Sequence, residues 1–551
     1  MDLLPLHHLL ITNEPPGSDE HDQVSAAYKS VNVQLQSIDA QMARLQAELT
    51  QISGDRDRTQ KRADQYRGVL SPLRRLPPEI LSKIFLHCCP PFSVPSSVRP
   101  PLAFGSVCRT WRIVSTQTPI LWNSLHLSLP EQTTMNSMDV EIEIEKFRTM
   151  QAGWEKWIER AGQVLPLDLS VEFPVTVVGM PQTKLVEFCR KFLSYSARLR
   201  HAEIVIPLGP DSPYSNLFST LDGLAMPNFE FFKIYPSPNS TIVVGAPLPP
   251  NFAFLQTAPR LHGLSVNFTL PPRSLAKSTF AHAGLSILEI SEPMAVPLQT
   301  VLDVLEGCPN LQTLRLLNTL TNIEEEGPGE YEQVTLSKLT RLVLHLPADR
   351  SQLCIISLLE TLHLPSLLDL AIRGVPAQAT VVDRPLSPAL LTMLEKSECA
   401  LQALEIFHCR NEPAGIFLDC LLATSQSLRE LHVRDAMAQL GMSDDPMSLF
   451  SDEVLSAFTG DALCPHLHRV TFVIPPNTSP SLVLAFLQSR AAGGLLEEAH
   501  VYVQSIDQDT ADQIVSLHPG YRLFISDPEH PTVVSFKGSS QHGSWATGAT
   551  L

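Results

Sequence analysis

The chain has 551 residues, 44% of them hydrophobic, which is too long for one ordinary core and apolar enough for well-buried ones. Its 57 acidic against 40 basic side chains give a formal charge of −17, which repels phosphate backbones and argues against nucleic acid as the main partner. The 10 cysteines show no paired CxxC spacing and read as reduced thiols of an intracellular core rather than a disulfide framework.

Residues 1–22 read as a disordered lead. Met1–Ile11 is apolar but lacks a basic n-region and a clear cleavage site, so a signal peptide is not expected. Residues 23–69 read as a coiled-coil helix. Val24, Tyr28, Val31, Leu35, Ile38, Met42, Leu45, Leu49 and Ile52 are spaced alternately by four and three, the a/d seam of a heptad repeat. Ser53-Gly54 is expected to interrupt the seam, which continues more weakly through Ala63, Tyr66 and Leu70. Self-association, coiling with a partner and folding back onto the chain's own body all stay open.

Residues 70–125 read as a small helical module. Pro77 and Pro78 suit the opening of a helix, Glu79 suits its first turn, and Ile80, Leu81, Ile84 and Phe85 form an apolar stripe. After the proline-rich loop Cys88–Pro101, Phe104, Val107, Cys108, Trp111 and Val114 predict a second amphipathic helix. So few helices cannot close a core alone, and a partner protein is the economical cover. A further amphipathic helix is predicted over Asp139–Gly162, with Ile142, Phe147, Met150, Trp154, Trp157 and Ile158 near one face.

Residues 126–526 are repetitive. An apolar pattern Φ-x-x-Φ-x-Φ recurs at Leu261-Leu264-Val266, Leu285-Leu288-Ile290, Leu311-Leu314-Leu316, Leu339-Leu342-Leu344, Leu367-Leu370-Ile372, Leu401-Leu404-Ile406, Leu428-Leu431-Val433 and Leu467-Val470-Phe472. Weaker copies begin at Val164, Leu199, Phe229 and Leu496. Pro227, Pro259, Pro309, Pro365 and Pro465 each stand two residues before the first anchor, and helical patterns precede several copies. Each unit therefore reads helix, proline turn, short strand. Stacked units bury one strand face against the helices, which predicts an α/β fold with parallel strands. The stretch Leu353–Ile372 is the most apolar, but it carries Glu360, His363, Pro365 and Asp369 and cannot cross a bilayer cheaply. With neither a signal peptide nor a spanning segment expected, the default is a soluble cytoplasmic or nuclear protein. Residues 527–551 read as a flexible tail.

The run L-P-P-E-I-L-x-x-I-F from Leu76, followed by V-C-R-x-W-R-x-V from Val107 and P-x-L-W from Pro119, is similar to the F-box. Together with the coiled coil, the R-R-L-P-P-E junction and Trp157–Ser170, it resembles a class of fungal F-box proteins with irregular leucine-rich C-terminal regions. The match covers Leu70–Leu125 closely and the rest by architecture only. Two departures stand out. The loop between the helices is long and proline-rich, and the Asn or Cys usual at the ninth repeat position is replaced by Thr319, Pro347 and Val375, with only Cys409 fitting.

The resemblance implies docking onto the Skp-type adaptor of a cullin-based SCF ubiquitin ligase. By position, Leu76, Pro77, Pro78, Ile80, Leu81, Ile84 and Phe85 would make the first contact. Val107, Cys108, Trp111 and Val114 would pack the second helix, and Leu121 and Trp122 would close it. For Phe85 and Trp111 an internal core role is the equal alternative. The resemblance further implies a leucine-rich-repeat-like solenoid that binds a target protein; a non-catalytic repeat scaffold outside the ubiquitin system is the alternative.

No P-loop, dinucleotide fingerprint, zincin motif, nucleophile elbow or calcium loop occurs in the sequence. His7-His8 and His87-Cys88-Cys89 are tight groups of metal-capable residues, but the latter ends an apolar helix, where adjacent ligands rarely share one ion. The acidic run Glu324–Glu326 reads as a solvated loop. No enzyme, cofactor or metal is expected.

Overall fold

The computed structural model describes residues 9, 11, 15–129, 139–173, 182–206, 224–236, 258–267, 284–291, 296–317, 320–321, 331–345, 353–374, 385–407, 413–434, 449–459, 463–473, 478–503, 508–525 and 534–536. Of residues 527–551 only Val534–Phe536 is described, and it forms a strand rather than a flexible tail; the Glu324–Glu326 run, His7-His8 and the ninth repeat positions lie outside the described residues, as does the side chain of Ile142. The chain divides into two compact units, Met1–Ile84 and Phe85–Leu551.

In the first unit one helix, α1, runs Ser18–Leu70, a length of about 80 Å at 1.5 Å per residue. The Glu20 carboxylate accepts from the Gly17 backbone N–H at 2.9 Å and ties down an otherwise orphaned donor at the entry. The helix passes through Ser53-Gly54 without a break. One interior glycine costs only about 1 kcal/mol against alanine, and helix-spaced bonds from Arg44 to Glu48 and from Arg58 to Asp55, each at 3.2 Å, support the turns on either side. Pro72 stops it, because the residue before a proline is pushed out of the helical region, and Ser71 is extended. No residue of α1 is buried, so its seam of Val24, Tyr28, Val31, Leu35, Ile38, Met42, Leu45, Leu49 and Ile52 is exposed throughout.

In the second unit, fifteen strands pair in chain order into one sheet among the described residues. They are β1 (Ser124–Ser128), β2 (Leu167–Glu172), β3 (Leu199–Ile206), β4 (Phe231–Pro236), β5 (Gly263–Val266), β6 (Ile287–Ser291), β7 (Thr313–Leu317) and β8 (Arg341–His345). There follow β9 (Asp369–Arg373), β10 (Ala403–Phe407), β11 (Glu430–Arg434), β12 (Arg469–Val473), β13 (Glu498–Val503), β14 (Tyr521–Ile525) and β15 (Val534–Phe536). Every neighbouring pair is parallel except β14 and β15.

The repeated apolar positions set this register. Leu288, Leu314, Leu342, Leu370, Leu404 and Leu431 face one another across consecutive strands, and each is fully buried. Burying one such leucine is worth roughly 1.5–3 kcal/mol, and a slip by one residue would turn the whole row to water. Helices cover this side: Phe472 of β12 meets Phe486 of the helix Pro480–Gly493 at a ring distance of 5.9 Å.

The prolines act at a definite place. Pro259, Pro309, Pro365 and Pro465 each take the second position of a four-residue turn, closed by Leu261 N–H to Ala258 O, Leu311 to Cys308, Leu367 to Leu364 and Leu467 to Cys464 at 3.1–3.2 Å. A fixed φ suits proline to that position. The residue opening each turn is buried, so the repeat has an apolar position that the Φ-x-x-Φ-x-Φ reading did not include: Ala258, Cys308, Leu364 and Cys464. Just before the strands, one carbonyl accepts from two successive N–H groups of the next unit. Gln312 O takes those of Thr340 and Arg341, Thr340 O those of Leu368 and Asp369, and Leu368 O those of Gln402 and Ala403, at 2.8–3.0 Å. These rungs satisfy turn backbone that would otherwise need side-chain partners.

Candidate docking segment and exposed sheet face

The predicted docking residues separate by burial. Helix α2 runs Pro78–Cys88, and its first bonds, from Ile80 and Leu81 N–H, go to the Pro77 carbonyl at 3.1 Å. Pro78 at the first helical position has no N–H to leave unpaired. Pro77 and Pro78 are exposed, Leu76 is half-buried, and Ile80 and Ile84 are exposed at 43% and 40%. Leu81 and Phe85 are buried at 2% and 0%. Residues four apart share a helix face, so the stripe splits into two adjoining lines, one wet and one dry.

The expected second helix is broken into two. Phe104–Val107 (α3) and Arg109–Thr116 (α4) are separated at Cys108, which is extended and caps α4 as its Sγ accepts from Trp111 N–H. The break is bridged by Arg112, whose Nε donates to Gly105 O at 2.8 Å. Phe85 stacks on Phe104 at 4.1 Å and tilts against Trp111 at 4.9 Å, so these three rings form one core. Val114, Leu121 and Trp122 are buried as well, whereas Val107 and Cys108 are exposed. Trp122 donates its indole N–H to Ser115 O at 2.8 Å and meets Trp157 edge-on at 4.9 Å. The proline-rich loop lies along the first sheet strand, with the β1 residue His126 donating its N–H to Ser93 O at 2.8 Å. An open strand edge is thereby partly covered.

Helix α5 (Asp139–Arg160) borders a cleft of about 830 Å³ lined by Pro95, Leu102, Met150, Trp154, Trp157 and Arg160. The indole N–H groups of Trp154 and Trp157 are buried without a hydrogen-bond partner. Arg160 lies over the Trp122 ring at 4.4 Å.

The face of the sheet opposite the buried leucines carries a second candidate surface. The middle positions of the face opposite the leucines run in register as Glu289, Arg315, Val343, Ala371, Glu405, His432, Thr471, His500 and Arg522, of which Val343, Ala371 and Thr471 are buried. Ion pairs link adjacent strands: Arg315 with Glu289 at 2.9 Å, Arg341 with Asp369 at 3.0 Å, Arg373 with Glu405, and Arg469 with Glu430 at 2.9 Å and Glu498 at 3.6 Å. Half-exposed pairs of this kind contribute at most about 1 kcal/mol each, so their main effect is to fix which charges are spoken for.

At the β11–β14 end the pattern changes. Arg434 reaches across β12, donates to the Tyr502 hydroxyl at 2.7 Å and lies over the rings of Tyr502 and Phe407 at 4.6 and 5.3 Å. Tyr502 stacks on Phe524 at 4.6 Å. Burial pushes His432 and His500 below the usual histidine range, so both imidazoles are neutral at neutral pH. Sequence reading missed this cluster, because His432 and His500 occupy the x position between the last two anchors and Arg434 and Tyr502 directly follow the last one. Aligning those x positions from repeat to repeat would have exposed the row.

The cysteines divide as their surroundings dictate. Cys88 and Cys108 are exposed, while Cys308, Cys399, Cys420 and Cys464 are buried. Burial pushes Cys464 up to about 12 and Cys89, helped by its neighbour Cys88, up to about 11. Since the thiolate is the reactive form, iodoacetamide on the native chain should label Cys88 and Cys108 first. Peptide mass mapping checks this, and labelling of Cys464 at the same rate would contradict the packing. Among the described residues no group of three metal-capable side chains converges, and no helix is long and apolar enough to cross a membrane.

No family model matches the chain, and no curated protein matches it either.

Proposed function

We propose that this chain is an F-box-type substrate receptor, tethering to a Skp-type adaptor of a cullin-based ligase through residues 70–125 and holding a target protein on a leucine-rich-repeat-like solenoid. The carrying observation is helix α2. It opens on Pro77-Pro78 and offers Ile80 and Ile84 to solvent while Leu81 and Phe85 of the same helix are buried. An exposed pair of β-branched apolar residues one turn apart is a ready anchor for a helical partner, and its burial there would repay the desolvation. The parallel sheet, with one face packed by helices and the other half-exposed, supports the recognition role, and no chemistry is asked of the chain itself.

The test is co-purification with the adaptor and cullin. Ile80→Asp with Ile84→Asp replaces exposed residues only, so the fold should persist and adaptor capture should fall about tenfold or more, as expected for loss of two apolar anchors. Adaptor capture equal to that of the unaltered chain would overturn the docking role. Capture of adaptor without cullin would favour the scaffold reading.

A further inference from the structure

The outward positions of β11–β14 hold three arginines, Arg434, Arg469 and Arg522, against two glutamates, Glu430 and Glu498. Arg469 is engaged by both glutamates. Among the described residues neither Arg434 nor Arg522 has a carboxylate within ion-pair distance, and the Arg434 Nε is buried without a hydrogen-bond partner. The local excess is therefore one positive charge, in a chain whose formal charge is −17. The Nε2 atom of His500, between these two arginines, is also buried and unpartnered. Tyr502 and Phe524 supply a stacked aromatic floor beside it.

We propose that this end of the sheet face is a recognition site for an extended peptide segment of a protein partner, in which an Asp or Glu side chain meets Arg434 and Arg522 and an adjacent apolar side chain rests on Tyr502 and Phe524. An arginine already oriented by ring stacking and by a hydroxyl loses little freedom on accepting a carboxylate, so its charge-assisted bond is retained in full. A single excess charge is matched by one carboxylate. A dianionic phosphate would leave net negative charge on the patch, and a polyanion would meet the field of the whole chain. The inference deepens the target-holding half of the proposed function and rests on it only for biological meaning, since the patch lies wholly within Phe85–Leu551.

The experiment is selection of phage-displayed random dodecapeptides on the full-length chain, followed by anisotropy titration of the enriched peptides. The enriched set should carry Asp or Glu next to an apolar residue, and its affinity should fall about tenfold or more for Arg434→Gln with Arg522→Gln, the scale of losing a charge-assisted bond. Arg522→Gln alone, at an exposed position, should give a measurable part of that loss, which guards against a folding artefact in the double variant. Enrichment without acidic residues, equal binding by the variants, or stronger binding when the acidic residue is replaced by phosphoserine would overturn the proposal. Adaptor capture by the same variants should stay unchanged, so failure of the peptide site and failure of the adaptor reading are separate results.

Discussion

Trp122→Ala should destabilise the second unit by about 3–5 kcal/mol, the cost of emptying a large buried aromatic site. The side chain is 2% exposed, packs edge-on against Trp157 and lies beneath the Arg160 guanidinium. Its loss would leave a cavity, and Ser115 O would lose its indole donor as well. Trp122→Phe keeps most of the ring volume and drops only the donor, so it should cost roughly 1–3 kcal/mol. Thermal unfolding followed by near-ultraviolet circular dichroism checks the order of the three proteins. The comparison also separates two roles for this residue. If Trp122 touched a partner instead of the core, the alanine variant would melt like the unaltered chain and lose only adaptor capture. The expected opposite behaviour of Ile80→Asp with Ile84→Asp, which should melt normally and bind poorly, follows from their exposure.

How much of this could be read from residues alone differs between the two parts of the chain. The sheet was legible because its signal is periodic. The anchors Leu314, Leu342, Leu370 and Leu404 were picked by spacing and stand opposite one another in the strands. The continuity of α1 was not legible, since Ser53-Gly54 looks like punctuation when its flanks are ignored, and the flanks outweigh one glycine. Nor was the break at Cys108 legible: the three-and-four spacing of Phe104, Val107, Trp111 and Val114 holds on both sides of an extended residue. Apolar type alone could not divide the stripe proposed for docking. Ile80 and Leu81 are equivalent to a pattern search, and only burial tells them apart, just as the packing of Phe85 against the Phe104 and Trp111 rings marks that residue as core. The sheet-face cluster was hidden for another reason, because hydrophobic periodicity does not constrain residue type on the face opposite the anchors.

Arg490 shows how far tertiary context can override residue type, and its replacement is the second large expected effect. It lies in the helix Pro480–Gly493 and is 7% exposed, an unusual place for a guanidinium. Its Nη2 donates to the carbonyls of Phe458 and Leu463, and its Nη1 donates to Cys464 O. The Phe458 ring lies 5.8 Å from the guanidinium carbon. Phe458 ends the helix Asp452–Phe458, and Cys464 stands at φ 48° as it opens the turn into β12. One planar fork therefore supplies donors to the Phe458 and Leu463 carbonyls beyond the helix end and a second donor to Cys464 O, which already accepts from Leu467 N–H. Arg490→Leu removes all of these donors from a dry site, and about 3–5 kcal/mol of stability should go with them. Arg490→Lys should rescue only part, because a point ammonium cannot span carbonyls set apart across a fork. Hydrogen exchange localises the effect: the Cys464 amide, which donates to Ser425 Oγ at 2.7 Å, should lose protection ahead of the β7–β9 amides. Uniform loss across the sheet would mean that Arg490 supports the whole unit, and unchanged protection at Cys464 would remove the clamp role.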